Sequence, residues 1–399
     1  MKKIELLAPA GDLEKLKVAF AYGADAVFFG GKKYSLRTRA SNFDLEDIKE
    51  ACKIAKQYNG KIYVTCNIFA LNEDLSDLKE LKQYLKDLEE AGVDAIIASD
   101  LAIIDTCKKV CKKMQVHIST QLSSYNHKSL DFFSSLGATR VVLAREATLD
   151  EIKDICANSK VEIEAFIHGA MCMSVSGKCT LSNHMTNRDA NRGGCAQSCR
   201  WFYELEDQNK NKYCDKLFTL SSKDLRIIKQ IETLIESGVS SLKIEGRMKS
   251  EYYIATIIGT YRKIIDDIYA KKLKKEKVYI KELNKAASRP ASIGFYDGIP
   301  TTNEQIYDKS AEIPLQNFVA RVLDYDKETN LATIEQRNNF TIKKKVEIFG
   351  PNGKQIKLKI KKLFNKDNEN IIVANHAKEI LYFYTKHELT SFDMIRQEK

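Results

Sequence analysis

The stretch IELLAPAGDLEKLKVAFAYGADAVFFGG, residues 4–31, sets the reading of the fold. It opens on a short apolar run, IELLAP (4–9), passes through DLEKLKVAFAYG (12–23), and closes on DAVFFG (25–30). In the middle segment apolar residues recur three and four positions apart, which marks an amphipathic helix, whereas the flanking runs are too short and too apolar for anything but buried strands. Strand, helix, strand is the unit of parallel pairing with a helical crossover. The unit then repeats. Further strands are expected at KIYVTCN (61–67), DAIIAS (94–99), VHIST (116–120), RVVLA (140–144), EIEAFIH (162–168) and SLKIE (241–245), with helical patterns such as LSDLKELKQYLKDLEEAG (75–92) between the first seven. Eight strands of this kind fit a (β/α)8 TIM-like barrel; a doubly wound open sheet is the alternative.

Barrel proteins build their sites from the loops that follow the C-terminal ends of the strands. Polar residues gather at those ends here: Gly30, Gly31, Arg37 and Arg39 after the second strand, Asn67 after the third, then Asp100, Gln121, Arg145 with Glu146, His168, and finally Glu245, Gly246 and Arg247. Residues 169–240 interrupt the alternation with an insertion far longer than an ordinary connection, and loops of that length are usually functional. From residue 312 the pattern changes to alternating segments, among them FVARVLDYD, LATIEQ and VEIFG, with Asn-Gly and Asp-Asn turn signals, as in a small all-β barrel. The expected organisation is a barrel over 1–251, a helical joining region over 252–311 and a β-domain over 312–399.

Composition narrows the class. With 399 residues and 44% apolar content the chain is globular and long enough for one large and one small domain. It has no apolar run of the roughly 18 residues that a membrane span needs, and MKKIELLAPAGD enters a strand without a leader pattern, so a cytoplasmic protein is expected. Ten cysteines in a reducing compartment point to metal rather than disulfides. Cys52, Cys66, Cys107, Cys111 and Cys156 stand in apolar surroundings and are expected simply to pack. The formal charge of +10 is uneven: residues 343–362 hold eight lysines against the single acid Glu347, and KKLKKEK (271–277) forms a second basic run. Such stripes either follow a phosphate backbone or form a solvated face.

The chemistry concentrates in EAFIHGAMCMSVSGKCTLSNHMTNRDANRGGCAQSCRW, residues 164–201. Cys172, Cys179, Cys195 and Cys199 follow the order C-x6-C-x15-C-x3-C, among Gly, Ser and Asn residues that favour turns. Thiolates are ligands of four-iron clusters and of structural zinc, and this spacing alone leaves both open. His168 and His184 are further ligand candidates. Neither HExxH nor GxSxG occurs, so the commonest local signatures of a hydrolase are missing.

The stretch EAFIHGAMCMSVSGKCTLSN resembles the signature of the U-thirty-two peptidase family, the collagenase-like proteases. LLAPAGD (6–12), GADAVFFGG (23–31), LRTRASNF (36–43), NRDANRGGCAQSCRW (187–201), SSKDL (221–225) and LKIEGRMKS (242–250) are similar to family blocks, and EQRNNF (335–340) with VEIFGPNG (346–353) to the appended β-domain of its longer members. The stretch ASRPASIGFYDG (287–298) departs, with Ala291 and Ser292 where relatives tend to carry a Phe-Thr pair.

The chain most resembles the branch that hydroxylates tRNA. The resemblance implies a four-iron four-sulfur (4Fe-4S) cluster on Cys172, Cys179, Cys195 and Cys199, prephenate as hydroxyl donor, conversion of wobble uridine to 5-hydroxyuridine in a tRNA partner, and a possible paralogous family partner. Prephenate is a dicarboxylate, and arginine pairs carboxylates two bonds at a time, so Arg37, Arg39 and Arg247 are candidate prephenate or phosphate contacts, with Arg188 and Arg192 in the cysteine segment. The C-terminal lysines would grip RNA, with Tyr382, Phe383 and Tyr384 as candidate stacking surfaces. A collagenase-like peptidase and a non-catalytic iron-sulfur assembly factor are the alternatives.

Overall fold

The computed structural model describes residues 3–36, 42–176, 178–213, 217–307 and 316–398. Eight strands form a closed parallel ring: β1 (Glu5–Pro9), β2 (Ala26–Gly30), β3 (Lys61–Cys66), β4 (Ala95–Ala98), β5 (Gln115–Ile118), β6 (Arg140–Val142), β7 (Glu162–Gly169) and β8 (Ser241–Ile244). Closure is explicit in the register, since Ser241 of β8 pairs with Glu5 of β1 on one side and with Glu164 of β7 on the other. The open-sheet alternative is thereby excluded. Each strand leads into a helix, α1 (Leu13–Ala21), α2 (Leu45–Gln57), α3 (Leu78–Ala91), α4 (Leu101–Val110), α5 (His127–Ser135) and α6 (Leu149–Asn158) for the first six.

Side chains alternate across each strand, so one set faces the helices and the other fills the ring. Leu7, Ala26, Phe28, Tyr63, Ala95 and Ile97 make a buried cluster inside it. Below them the interior is charged. Arg140 donates to Glu5 at 2.6 Å, to Glu162 at 2.7 Å and to Glu164 at 3.2 Å, and Lys243 donates to Glu164 at 2.8 Å. Arg140, Glu164 and Lys243 are all buried. Charges taken out of water persist only when paired in this way.

The insertion leaves the top of β7. It contains the short helix α7 (Leu181–Thr186), a segment Asp224–Arg226 antiparallel to the end of β7, and α8 (Gln230–Glu236), which returns the chain to β8. The chain divides into two compact units: residues 1–20, 24–249 and 289–311, and residues 21–23, 250–288 and 312–399. The stretch 252–311, which reads from sequence as a joining region, is thus shared out. Helices α9 (Glu251–Tyr269) and α10 (Glu276–Leu283) belong with the β-domain, while residues 289–311 belong with the barrel.

The second unit contains an eight-stranded antiparallel sheet built chiefly of β9 (Gln316–Asp326), β10 (Leu331–Gln336), β11 (Val346–Phe349), β12 (Gln355–Leu358), β13 (Ile380–Tyr384) and β14 (Met394–Glu398), with β12 at one edge. Val319, Ile334, Ile348, Leu381, Phe383 and Ile395 are central to its core. Phe383 is fully buried there, so it is not the stacking surface that its sequence position suggests; Tyr384, one residue on, is 63% exposed.

Candidate iron-sulfur site at the barrel mouth

The cysteine segment begins with a forced turn. Gly169 ends β7 at φ 116°, and a Cβ there would stand 2.6 Å from the Glu245 carbonyl oxygen, so only glycine lets the chain leave the strand beside β8. The loop between Cys172 and Cys179 is then fastened to the strand ends through Ser176. Its N–H and hydroxyl donate to the Glu146 carboxylate at 3.0 and 2.7 Å, its hydroxyl oxygen accepts from the Arg145 N–H at 3.1 Å, and its carbonyl accepts from the Ser123 hydroxyl at 2.7 Å. Residues following β5 and β6 therefore hold a loop that follows β7.

The second half of the segment is held by Asn191, which accepts from the Cys179 N–H at 3.4 Å and donates its amide to the Cys179 carbonyl at 3.1 Å. Arg192 ties the same turn to the loop after β3. It pairs with Asp74 and donates to the Phe69 carbonyl at 2.9 Å, while the Asn191 carbonyl accepts from the Phe69 N–H at 3.1 Å. Arg192 is thus committed to an ion pair within the protein. Gly193 takes φ 88°, and a Cβ on Gly194 would sit 2.7 Å from the Asp189 carbonyl oxygen, which accounts for the paired glycines before Cys195.

The four sulfurs share one electrostatic neighbourhood. Burial pushes the Cys172 thiol up; the Ser174 N–H, donating to its sulfur at 3.4 Å, and Arg145 oppose this, while Cys179 and Cys195 add to it. Burial likewise pushes up Cys199, which feels Arg200 as a relieving charge and Cys172 and Cys195 as repelling ones. Cys172 and Cys195 keep surface in contact with solvent and Cys179 and Cys199 are half-buried, so the desolvation felt at Cys172 comes from the chain packed round its sulfur and is partial. Cys52, Cys66, Cys107 and Cys111 are buried, as their apolar settings predict, and Cys214 lies outside the described residues.

Among the described residues no three His, Cys, Asp or Glu side chains are grouped so as to hold a single metal ion. Four cysteines that act on one another across a single polar segment are the donor type that iron-sulfur clusters and structural zinc share. By the chemistry of its donors the set is compatible with an iron-sulfur cluster. Burial pushes the nearby His168 imidazole down to about 3, with Arg226 and Lys249 adding to the effect, so it is neutral at physiological pH.

Arg37 and Arg39 lie outside the described residues. Arg247 is buried and donates to the Ser35 hydroxyl at 3.3 Å, to the Thr65 hydroxyl at 3.4 Å and to the Asn42 side-chain carbonyl at 2.9 Å. Ser35 and Asn42 are the two stems of the loop that carries Arg37 and Arg39. Arg247 therefore ties Ser35 to Asn42, the described residues on either side of that stretch. A Cβ on Gly30 would collide with both the Arg247 guanidinium and the Ser35 hydroxyl.

Sequence reading placed Arg145 at a strand end but missed the group of charges it belongs to. Arg145 lies 4.1 Å over the Phe166 ring, donates to the Ala170 carbonyl at 2.9 Å and pairs with Glu245 at 3.7 Å. Asp224 is buried, which pushes its carboxyl up, while Lys249, Arg200 and Arg145 pull it down and Arg289 pairs with it at 3.5 Å. Only tertiary proximity reveals this group, since its members come from four separate segments. Arg188, by contrast, keeps a buried Nε without a hydrogen-bond partner.

Residues 11–306 match the sequence profile of Peptidase family U32, and residues 315–396 that of the Peptidase family U32 C-terminal domain. Across 406 aligned residues, covering all of this chain and 96% of the relative, the sequence is 45% identical to tRNA hydroxylation protein P1 of Bacillus subtilis. The 23S rRNA 5-hydroxycytidine synthase of Escherichia coli is 39% identical over 266 residues, 67% of this chain and 40% of that protein. A collagenase of Porphyromonas gingivalis is 37% identical over 276 residues, 66% of this chain and 65% of that one.

Proposed function

This chain belongs to peptidase family U32, and from that membership we propose that it is an iron-sulfur enzyme that hydroxylates the wobble uridine of tRNA to 5-hydroxyuridine, with prephenate as hydroxyl donor. The observation that carries the reading is the 45% identity, over the whole chain, to a protein named for tRNA hydroxylation. Likeness to the rRNA synthase, which forms a hydroxylated pyrimidine, supports the same reaction class. Cys172, Cys179, Cys195 and Cys199 would hold the cluster. When bound, such a cluster supplies one-electron redox chemistry.

The chain's own residues have positioning and electrostatic work to do. Four thiols must lose their protons to bind iron, and Arg145 and Arg200 favour that loss at Cys172 and Cys199. Ser176 and Asn191 fix the backbone on either side of Cys179. A dicarboxylate donor would pair with arginines, with Arg37 and Arg39 as the candidates. Both tRNA and any paralogous partner enter as parts of this proposal.

Anaerobic purification with iron, sulfide and zinc analysis is the first test, on wild type and Cys179→Ala, followed by nucleoside analysis of tRNA incubated with and without prephenate. About four irons and four sulfides per chain, lost in the variant, with prephenate-dependent 5-hydroxyuridine, is the expected result. Zinc or no metal would overturn the cluster assignment. The collagenase relative favours proteolysis as the second reading, and gelatin cleavage with unchanged tRNA would bring it forward. A cluster needed for folding, with no turnover of any substrate, would support the assembly-factor reading.

A further inference from the structure

The lysine-rich strip of the second unit is less neutralised than its sequence suggests. The one acid among its eight lysines, Glu347, is buried and spent internally: it accepts from Lys285 at 3.0 Å and from Arg396 at 2.9 Å. Lys354 is also spent, on Asp393. The other seven, Lys343, Lys344, Lys345, Lys357, Lys359, Lys361 and Lys362, are exposed, and none pairs with a carboxylate among the described residues.

Three of them rim a shallow depression of about 420 Å³, lined by Ile342, Lys343, Lys359, Ile360, Lys361 and Ile372. Ile360 is buried, whereas Ile372 is 51% exposed and offers an apolar surface between the ammonium groups. The lining contains no aromatic ring and no amide or carboxylate side chain. A site that reads bases needs stacking rings or hydrogen-bonding side chains able to tell base edges apart. Point-charge cations around an aliphatic floor instead suit phosphates with the less polar faces of sugars between them.

We propose that this depression seats the ribose-phosphate backbone of a helical RNA stem and grips it without reading its sequence. The inference rests on RNA being the substrate and names the surface that positions it. Such contacts supply affinity and orientation while specificity resides elsewhere.

The test uses the full chain, with fluorescence anisotropy on an unmodified tRNA and on an unrelated RNA hairpin across a salt series. The variant is Lys343→Gln/Lys359→Gln/Lys361→Gln; Lys271→Gln/Lys272→Gln/Lys275→Gln, equal in charge change, is the control. Each phosphate contact contributes about 0.9 to the slope of log affinity against log salt, so the first variant should lower that slope by about 2 to 3 and weaken both RNAs alike. The control should keep the wild-type slope, and unchanged melting of both variants establishes folding.

An unchanged slope in the first variant, an equal loss in the control, or a loss confined to tRNA would overturn the proposal. So would wild-type binding to phosphatidylserine vesicles that RNA fails to displace. A protein that hydroxylates tRNA but binds it independently of these lysines loses only this inference; one that binds through them but modifies nothing loses only the hydroxylation reading.

Discussion

Ser176 offers the smallest lever on the cysteine segment. Its hydroxyl donates to Glu146 and accepts from the Arg145 N–H, so removing it takes a partner from each. Leaving a buried polar group without its partner costs about 1–3 kcal/mol. In Ser176→Ala that cost falls on the loop between Cys172 and Cys179 rather than on the barrel. The expected outcome is a melting temperature within a few degrees of wild type and, by absorbance after exposure to air, a proposed cluster that decays several-fold faster. That Cys172, Cys179, Cys195 and Cys199 are not packed as buried hydrophobes was legible from sequence, because their surroundings are polar and turn-rich. What holds them was not: Glu146 and Asn191 meet the segment through folding, and nothing in the spacing of 164–201 points to residue 146.

At the scale of the strand the barrel was readable because alternation of apolar strands and amphipathic helices has few other solutions. The charges within it were only half readable. Glu162, Glu164, Phe166 and His168 share a face of β7 by period two, but that Arg140 and Lys243 answer those carboxylates depends on ring closure, which brings β6 and β8 to either side of β7. Glu164→Gln removes the carboxylate that both cations share. Breaking a buried pair costs about 3–5 kcal/mol, and urea unfolding should report a loss of that order with an unchanged m-value.

The same physics in the second unit has a pH signature. Burial pushes the Glu347 carboxyl up, but Arg396 and Lys285 outweigh it and hold it down to about 2, against an ordinary 4.5. A carboxyl whose folded value is depressed contributes stability that is fully present above 4.5 and is lost as the pH falls towards 2. Acid titration of the wild type should show a stability loss through that window, and Glu347→Gln should be less stable at neutral pH with a weaker acid dependence.

On the scale of the whole chain, the units do not follow sequence order, and this decides how the protein can be cut. A chain ending at 311 keeps α9 and α10 but loses the sheet with which they form one unit. Thirteen side chains of α9 are buried, Tyr252, Ile254, Ile257, Ile258 and Tyr261 among them. Such a helix, apolar nearly all round, is stable only inside a core. Lys285 and Glu282 would also lose Glu347 and Arg396. Ending the chain at 249 avoids that exposure but removes residues 289–311 from the barrel, where the Tyr296 hydroxyl donates to the Phe166 carbonyl at 2.7 Å, its carbonyl accepts from the Leu149 N–H at 3.0 Å, and Ala291 and Ser292 pair with Asp224 and Leu225. Both truncated chains should therefore be recovered in low soluble yield. The chain 1–311 should bind the dye ANS strongly, because α9 exposes a contiguous apolar surface when its sheet is missing. A monomeric, ANS-silent 1–311 chain would mean that α9 and α10 need no sheet, and that the boundary at 312 read from periodicity is a true one. The expected opposite follows from sequence pattern and packing reporting different things: the switch from helical to alternating periodicity marks where the β-strands begin, whereas burial marks which helices those strands need.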